Sequence, residues 1–458
     1  DDHEYAPYHN RALIYYDQEK WPEAIADLTR ALALQPDADA VRYDRASAYV
    51  SNGQFDNGIA DYTLYISHDP QAWDAIYERG RAYRQNHDSA HALEDFNRSI
   101  AMHGDFDGAF IERGNVYLDQ GDDQRALDDY MHAVQLKPDN SASHFNSGLA
   151  LEHLRRRNEA IDQYSEAIRL SPRDTEFIFY RGAALYQDGK TAQALADYAT
   201  ILQIDPNYID AHYARAGIHL DQQRYADALA DGNEVVRINP TLGVGYWRRA
   251  KAREGLNDVT NALADLDRAV TLAPSNEDIL ADRGNLRGFT HNYDGALADY
   301  NALLTINSHS MPAVRGRASV FEAQNDIPKA LTEFERAVAI EPNNAITFND
   351  RCWLRATHHI ELDAALADCE RALQLAPGQP ALLDSRAMAH LQRGEFQAAL
   401  TDYNAALAVA PHLPASLYGR GITYLRLGRT AEGQADLAAA AALVPDIATR
   451  FQDYGLRP

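Results

Sequence analysis

The residues around position 360 are the first in this chain whose types suggest chemistry. His358, His359 and Glu361 resemble the ligands of a metal site, and they lie between the two cysteines, Cys352 and Cys369. Because 17 histidines are scattered through the chain, we interpret this cluster as accidental. The cysteines allow either a disulfide or two buried free thiols that fill space, and we favour the free thiols.

A second candidate site is the stretch Asp105-Phe106-Asp107-Gly108, which resembles the start of a calcium loop. No glutamate follows at the twelfth position, where such a loop needs one. Asp and Gly are also the residues expected in an ordinary turn. The chain has no P-loop and no supported Ser/His/Asp set. We therefore predict no catalytic residue, no metal site, no cofactor and no enzymatic activity.

A third group consists of arginines that are each followed by a carboxylate sixteen residues later, or seventeen in one case. Such a row of charges can bind ions or take part in catalysis, but it can also hold two helices in register. One copy has Ser147 and Gln163 instead, and because both charges are missing together, we predict that the two positions contact each other. We favour the structural role. The pairs are Arg11 with Asp27, Arg45 with Asp61, Arg79 with Asp95, Arg113 with Asp129, Arg181 with Asp197, Arg215 with Asp231, Arg249 with Asp265, Arg283 with Asp299, Arg317 with Glu333, Arg351 with Asp368, Arg386 with Asp402, and Arg420 with Asp436.

Prolines recur at intervals of 34 residues along the chain. This spacing marks the repeating unit whose helices must position the arginine–carboxylate pairs. Between Pro172 and Pro206, two runs of apolar residues at helical spacing are separated by the helix-breaking Asp188-Gly189-Lys190. We therefore predict two helices in each unit and thirteen units within residues 1–445, followed by a capping helix at 446–458. The units are predicted to end near Pro36, Pro70, Gly104, Pro138, Pro172, Pro206, Pro240, Pro274, Ser308, Pro342, Pro377, Pro411 and Pro445.

Small residues occupy two fixed positions in each unit. Gly80, Gly148 and Gly182 share the position after the arginine, and Ala92, Ala160 and Ala194 follow twelve residues later. Together with the prolines, these residues resemble the tetratricopeptide repeat family over most of the chain. The resemblance implies an all-α fold, a right-handed superhelical α-solenoid of thirteen helix-turn-helix repeats. It also implies that the first helices line a concave groove, and that the protein binds other molecules, usually polypeptides.

Large apolar residues precede the arginine, or Ser147, by two positions in many units. An aromatic stripe of this kind is often part of a core, but the core positions are already assigned, so we predict a partly exposed row that binds a ligand. Ile111 belongs to the same row. Some members of the family hold the terminal carboxylate of a bound peptide with paired Lys and Asn residues, and we find no such set in successive units of this chain. The predicted partner-binding groove comprises Tyr43, Tyr77, Arg81, Phe145, Phe179, Tyr213, Trp247, Lys251 and Tyr418.

Composition narrows the range of partners. The chain has 458 residues, of which 46% are hydrophobic and 24% charged, and its formal net charge is −24. A strongly negative chain is poorly suited to bind nucleic acid or an anionic membrane. No apolar run is long enough for a transmembrane helix. The chain starts at Asp1 without a methionine, and we expect a bacterial, exported protein whose signal peptide has been removed rather than a cytoplasmic one.

Two functions are consistent with these patterns. The first is a non-catalytic scaffold that binds protein or peptide partners in its groove. The second is a structural protein that assembles head to tail into oligomers or filaments through the ends of the array.

Overall fold

The structure is a computed structural model that describes residues 4–458, and within them it contains 27 α-helices and no β-strand. Two compact units are present, Asp1–Gln222 and Gln223–Pro458. Unit 1 contains α1 (Ala6–Asp17), α2 (Trp21–Leu34), α3 (Asp39–Ser51), α4 (Phe55–His68), α5 (Trp73–Gln85), α6 (Ser89–Met102), α7 (Asp107–Asp119), α8 (Asp123–Leu136), α9 (Ser141–His153), α10 (Arg157–Leu170), α11 (Thr175–Gln187), α12 (Thr191–Ile204) and α13 (Ile209–Asp221).

Unit 2 begins with the second helix of the seventh predicted repeat and ends with the predicted capping helix. It contains α14 (Tyr225–Ile238), α15 (Gly243–Gly255), α16 (Val259–Leu272), α17 (Glu277–Phe289), α18 (Tyr293–Ile306), α19 (Met311–Ala323), α20 (Ile327–Ile340), α21 (Ala345–Thr357), α22 (Leu362–Leu375), α23 (Pro380–Gln392), α24 (Phe396–Val409), α25 (Pro414–Arg426), α26 (Thr430–Leu443) and α27 (Ile447–Asp453). Odd-numbered helices up to α25 are called first helices below, and even-numbered helices are called second helices.

A tight turn joins the first and second helix of each pair. One residue of this turn adopts the left-handed conformation, as Gly189 does at a φ of 76°. The amide of the next residue, Lys190, then donates a hydrogen bond to the carbonyl of Leu185 at 2.9 Å, which closes the helix end. Arg155 takes the same conformation at a φ of 59° without being a glycine, so the turn geometry does not depend on glycine alone.

The small positions allow the two helices of a pair to approach closely. A Cβ atom on Gly148 would lie 2.4 Å from the ring of Tyr164 on the facing helix, so only glycine fits there. Ala160 and Tyr164 are both fully buried in the core of unit 1. This packing fixes the rotation of each first helix, and with it the side chains that the helix presents on its other face.

The seven-residue helix α27 follows the last pair, and it packs against α25 and α26. The capping helix predicted from the sequence is therefore present. None of the helices described has both the length and the hydropathy of a bilayer-spanning segment.

Candidate functional site

In most helix pairs within each unit, the arginine of the first helix and the carboxylate of the second helix meet through two parallel hydrogen bonds. Arg79 donates from Nε to Asp95 at 2.8 Å and from Nη2 at 2.7 Å. In the next pair, the hydrogen bond to Asp129 raises the pKa of Arg113, although burial has the opposite effect. Arg215 lies in unit 1 and Asp231 in unit 2. The same contact joins Arg11 with Asp27, Arg45 with Asp61, Arg181 with Asp197, Arg249 with Asp265, Arg283 with Asp299, Arg351 with Asp368, Arg386 with Asp402, and Arg420 with Asp436. Arg317 and Glu333 make a single ion pair, with 2.9 Å between Arg317 Nη2 and Glu333 Oε1, while Arg317 Nε and Glu333 Oε2 are buried without a hydrogen-bond partner among residues 4–458.

These arginines make a further contact that the sequence analysis missed. The Nη1 atom of Arg113 donates to Asn97 at 2.6 Å, and Asn97 belongs to the second helix of the preceding pair. Each such arginine therefore ties its own pair to the one before it. In the sequence, the pattern that could have predicted this contact is a polar residue two positions after the carboxylate. Equivalent contacts are made by Thr29, Thr63, Ser165, Asn233, Asp267 and Asn404.

The pair that lacks these charges uses neutral hydrogen bonds instead. Ser147 is fully buried and donates to the carbonyl of Ser143 at 2.8 Å. Gln163 turns to His144, with 2.8 Å between Gln163 Oε1 and His144 Nδ1. The loss of the arginine thus leaves no unpaired carboxylate at this position.

The first helices α3 and α5 of unit 1 line a cleft of about 470 Å³. Tyr43 and Glu78 are half-buried in it, and the guanidinium of Arg81 lies 2.9 Å from Glu78. Burial raises the pKa of the Glu78 carboxyl, although Arg81 opposes this effect. Ser47 and Tyr62 share a hydrogen bond of 2.7 Å at the base of the cleft. The cleft therefore combines an aromatic surface with both signs of charge.

Tyr77 and Arg81 form one surface beside this cleft. The Arg81 guanidinium lies over the Tyr77 ring, 5.9 Å from its centroid, and the Tyr77 ring also packs against that of Phe106, with 4.9 Å between the centroids. Phe179 is half-buried farther along the unit, where its ring lies 5.6 Å from that of Tyr198. Tyr213 on α13 is also half-buried.

In unit 2, Trp247 and Lys251 of α15 both contact Asp282 of the next first helix. Trp247 Nε1 donates to Asp282 at 2.7 Å, and Lys251 Nζ lies 3.4 Å from the same carboxylate. The guanidinium of Arg248 lies 5.5 Å from the centroid of the Trp247 ring. Trp247 and Lys251 are half-buried, so each keeps a face accessible to a ligand.

Two further clefts, of about 440 Å³ and 290 Å³, lie on α17, α19 and α21 and share Arg315 and Ser319. Arg315 pairs with Asp350 at 2.7 Å, and burial raises the pKa of Asp350 against the effect of this arginine. The amide oxygen of Asn349 is buried in the smaller cleft without a hydrogen-bond partner among residues 4–458. Sequence reasoning missed these clefts because it followed the row of large apolar residues, which at this repeat position gives way to Arg315 and Asn349.

Three family models, each described as tetratricopeptide repeat, match the chain. One matches residues 12–76 and 354–416, another 185–240, and the third 77–141, 111–175, 145–209 and 281–345. The chain belongs to the tetratricopeptide repeat family. No curated protein sequence matches it significantly. The all-α solenoid class predicted from the sequence is thus confirmed, and members of this family are generally interaction scaffolds without catalytic activity.

Solved tetratricopeptide repeat structures are similar to this chain at low identity. The structure of the APC/C hetero-tetramer Cut9–Hcn1 is 14% identical, with 97% of this chain and 95% of that chain covered and a TM-score of 0.46. A tetratricopeptide repeat protein from Parabacteroides merdae is 20% identical, with 53% and 95% covered and a TM-score of 0.44. YrrB, described as a TPR protein with an unusual peptide-binding site, is 21% identical, with 39% and 92% covered and a TM-score of 0.35.

Two residues of the predicted groove are not exposed. Phe145 is only 7% exposed because its ring packs against Phe177 at 4.7 Å and Tyr164 at 5.7 Å. Tyr418 is 3% exposed because Phe451 of α27 covers it, with 4.7 Å between ring centroids. The expectation of a partly exposed aromatic row is therefore wrong at these two repeats.

The interpretation of the cysteines as free thiols is also wrong. Cys352 of α21 and Cys369 of α22 form a buried disulfide across the eleventh repeat, with 5.6 Å between their Cα atoms. The one extra residue of this repeat is taken up in the turn, where His359 and Glu361 both have positive φ angles.

The three residues that resembled a metal site point to separate partners. His358 lies 3.5 Å from Glu322, His359 lies 3.3 Å from Gln392, and Glu361 pairs with an arginine of its own repeat. Within residues 4–458, no group of three or more histidine, cysteine or acidic side chains is arranged to hold a metal ion.

Proposed function

We propose that this protein is a non-catalytic scaffold that binds a polypeptide segment on the first-helix surface of unit 1. The observation that carries this proposal is the cleft of about 470 Å³ on α3 and α5. Its half-buried Tyr43, Glu78 and Arg81 provide an aromatic contact, an acceptor and a donor within one concave surface. Aromatic and arginine side chains of this kind commonly dominate binding energy at protein interfaces.

The cleft suits the mixed chemistry of a peptide better than that of a uniformly charged ligand. A peptide backbone offers amide donors and carbonyl acceptors in alternation, and Glu78 and Arg81 can accept and donate respectively. The net charge of −24 disfavours a strongly anionic partner. Because Glu78 and Arg81 already neutralise each other, a ligand that engages both must replace their mutual contact with contacts of its own.

A random peptide display library, selected on the immobilised wild-type chain, tests this proposal. Selected peptides are then titrated calorimetrically against Glu78→Ala/Arg81→Ala and against Glu166→Ala/Arg169→Ala. The second variant is the matched control, because Glu166 and Arg169 form an exposed ion pair on the second helix α10 of the same unit. We expect affinity to fall by about tenfold or more in the first variant alone. Equal affinities for both variants would contradict the proposal.

Self-association is a second candidate, because both units have apolar residues exposed on their outermost pairs. Ile14 of α1 is 55% exposed, and Leu443 of α26 is 46% exposed. Side chains of this type at the end of a stack are suited to docking against another copy. Light scattering as a function of concentration tests this candidate. A mass that stays at one chain throughout rules it out.

A further inference from the structure

The segment 446–456 packs through three buried apolar side chains. Ile447, Phe451 and Leu456 are buried, although α27 itself is only seven residues long. After α27, Gly455 takes a φ of 74° and the amide of Leu456 donates to the carbonyl of Phe451 at 2.9 Å. Beyond this turn, Arg426 of α25 donates to the carbonyl of Arg457 at 3.0 Å.

The helices under this segment are the first helices of the last three repeats. Phe451 covers Tyr418 of α25, and the ring of Tyr454 lies 5.9 Å from that of Trp353 on α21. Gln392 of α23 donates to the carbonyl of Tyr454 at 2.8 Å. Tyr418 holds the same repeat position as the half-buried groove residues Tyr43 and Tyr77, so the segment lies on the face that binds ligands in our proposal.

The last second helix, in contrast, remains largely uncovered. Along α26 only Gly433 and Ala440 are buried, and Leu443 is exposed. The segment does contact α26, as a capping helix should, but a segment that only closed the end of the stack would cover more of that helix. Beyond this cap contact, residues 446–456 also reach α21, α23 and α25, where a ligand of the first helices would lie.

We propose that the face of α21, α23 and α25 under this segment is a docking surface for an amphipathic helix of a partner polypeptide. This inference rests on the proposed function as a polypeptide-binding scaffold. The partner helix carries apolar or aromatic residues at the spacing of Ile447, Phe451 and Tyr454, which is i, i+4 and i+7. That spacing is the usual recognition pattern of a helix in a groove. The chain's own segment occupies the surface until a partner displaces it.

The contacts that hold the segment suit an exchangeable occupant. Gln392 and Arg426 donate to backbone carbonyls of residues 454 and 457, so a helix of different sequence can accept the same bonds. A helix of seven residues is not stable alone and depends on the surface beneath it. The ion pair of Arg450 with Asp446 lies within the segment and is exposed, so it does not tie the segment to the repeats.

A fluorescent peptide with the sequence of residues 446–458 tests the proposal by anisotropy on the full chain. In wild type the attached segment competes with the peptide at a high effective concentration. Phe451→Ala/Tyr454→Ala releases this competitor, so we expect the peptide to bind this variant at least about tenfold more tightly than wild type. Arg450→Ala is the matched control and should bind as wild type does, because Arg450 is exposed on α27.

Two more measurements identify the surface. A photoreactive phenylalanine at the Phe451 position of the peptide should crosslink to α25, and Gln392→Ala in the released variant should weaken binding. Circular dichroism establishes that each variant keeps its helices. The proposal would be overturned if the peptide bound wild type and the released variant equally, or if it crosslinked to helices other than α21, α23 and α25. Wild-type dimers formed by exchange of the segment would also overturn it. The proposed function is tested separately, by titration of selected peptides against Glu78→Ala/Arg81→Ala in unit 1. A negative result with the 446–458 peptide is therefore distinguishable from failure of the proposed function.

Discussion

Asp384 of α23 is a buried carboxyl group whose effect on stability can be worked out from its surroundings. It is 8% exposed, and it accepts a hydrogen bond from the hydroxyl of Ser416. The hydroxyl of Tyr403 is buried nearby without a hydrogen-bond partner among residues 4–458. Burial raises the pKa of Asp384 from 3.8 to about 6, although Ser416 opposes the shift. This carboxyl group therefore favours its neutral form in the folded protein.

The sign of the pH effect follows from proton binding. Between pH 3.8 and about 6 the folded state keeps the proton on Asp384 while the unfolded state loses it. The free energy of unfolding therefore decreases as the pH rises through this range. The shift corresponds to about 3 kcal/mol of unfolding free energy, which is retained at pH 4 and lost above pH 6.

Asp384→Asn should remove this pH dependence while keeping a similar shape and a hydrogen-bonding group. We expect the variant to match wild type near pH 4 and to be more stable by up to about 3 kcal/mol at pH 8. Urea unfolding of both chains at several pH values measures the difference, with Asp363→Asn as the exposed control in the same unit. A difference between wild type and variant that is the same at pH 4 and pH 8 would refute the reasoning.

Three further changes probe the repeat architecture, each by urea unfolding. Asp95→Ala leaves the largely buried Arg79 without its partner and should cost about 2–4 kcal/mol, whereas Arg79→Leu/Asp95→Leu should recover part of that loss. Replacing both Cys352 and Cys369 with alanine should cost about 3 kcal/mol, because the disulfide closes a loop of 17 residues in the unfolded chain. Arg155→Gly should stabilise by about 0.5–1 kcal/mol, because its φ of 59° suits glycine better.

Each of these expectations has a contradicting result. A loss of stability in Asp95→Ala that is smaller than in Asp128→Ala, a variant of an exposed residue of α8 in the same unit, would mean that the arginine–carboxylate pairs do not hold the helices together. Stability that is unchanged by dithiothreitol in wild type would contradict the role of the disulfide. A stability loss in Arg155→Gly would show that the arginine side chain contributes more than its backbone conformation costs.

The sequence predicts the helix pairs because their determinants are local. Each repeat carries its own helix break, as at Gly189, and ends at its own proline or a substitute. The charges missing together at Ser147 and Gln163 also belong to one repeat. The contact from Arg113 to Asn97 was missed because it joins neighbouring repeats and because Asn, Thr, Ser and Asp all fill that position. A pattern that tolerates four residue types is weak in a single sequence.

The site was predicted less well because exposure depends on more distant neighbours. Phe145 has the same repeat position as Tyr43, yet Phe177 of the next repeat buries it. Tyr418 is buried by Phe451, which belongs to a segment outside the repeat pattern. Sequence position identifies which face of a helix a residue occupies, but coverage of that face depends on what packs over it.

The geometry of the repeat explains how the binding face can change without loss of the fold. The groove position lies two residues before the arginine of the arginine–carboxylate pair, which places it about 200° around the helix from that arginine. A side chain in the groove therefore does not touch the arginine pair behind it. Repeats nine to twelve show the consequence, because this position changes from aromatic to Ala281, Arg315, Asn349 and Asp384 while the arginine and carboxylate remain. The clefts of unit 2 consequently present the polar groups of Arg315 and Asn349 on helix pairs that, like most pairs of unit 1, are joined by an arginine and a carboxylate.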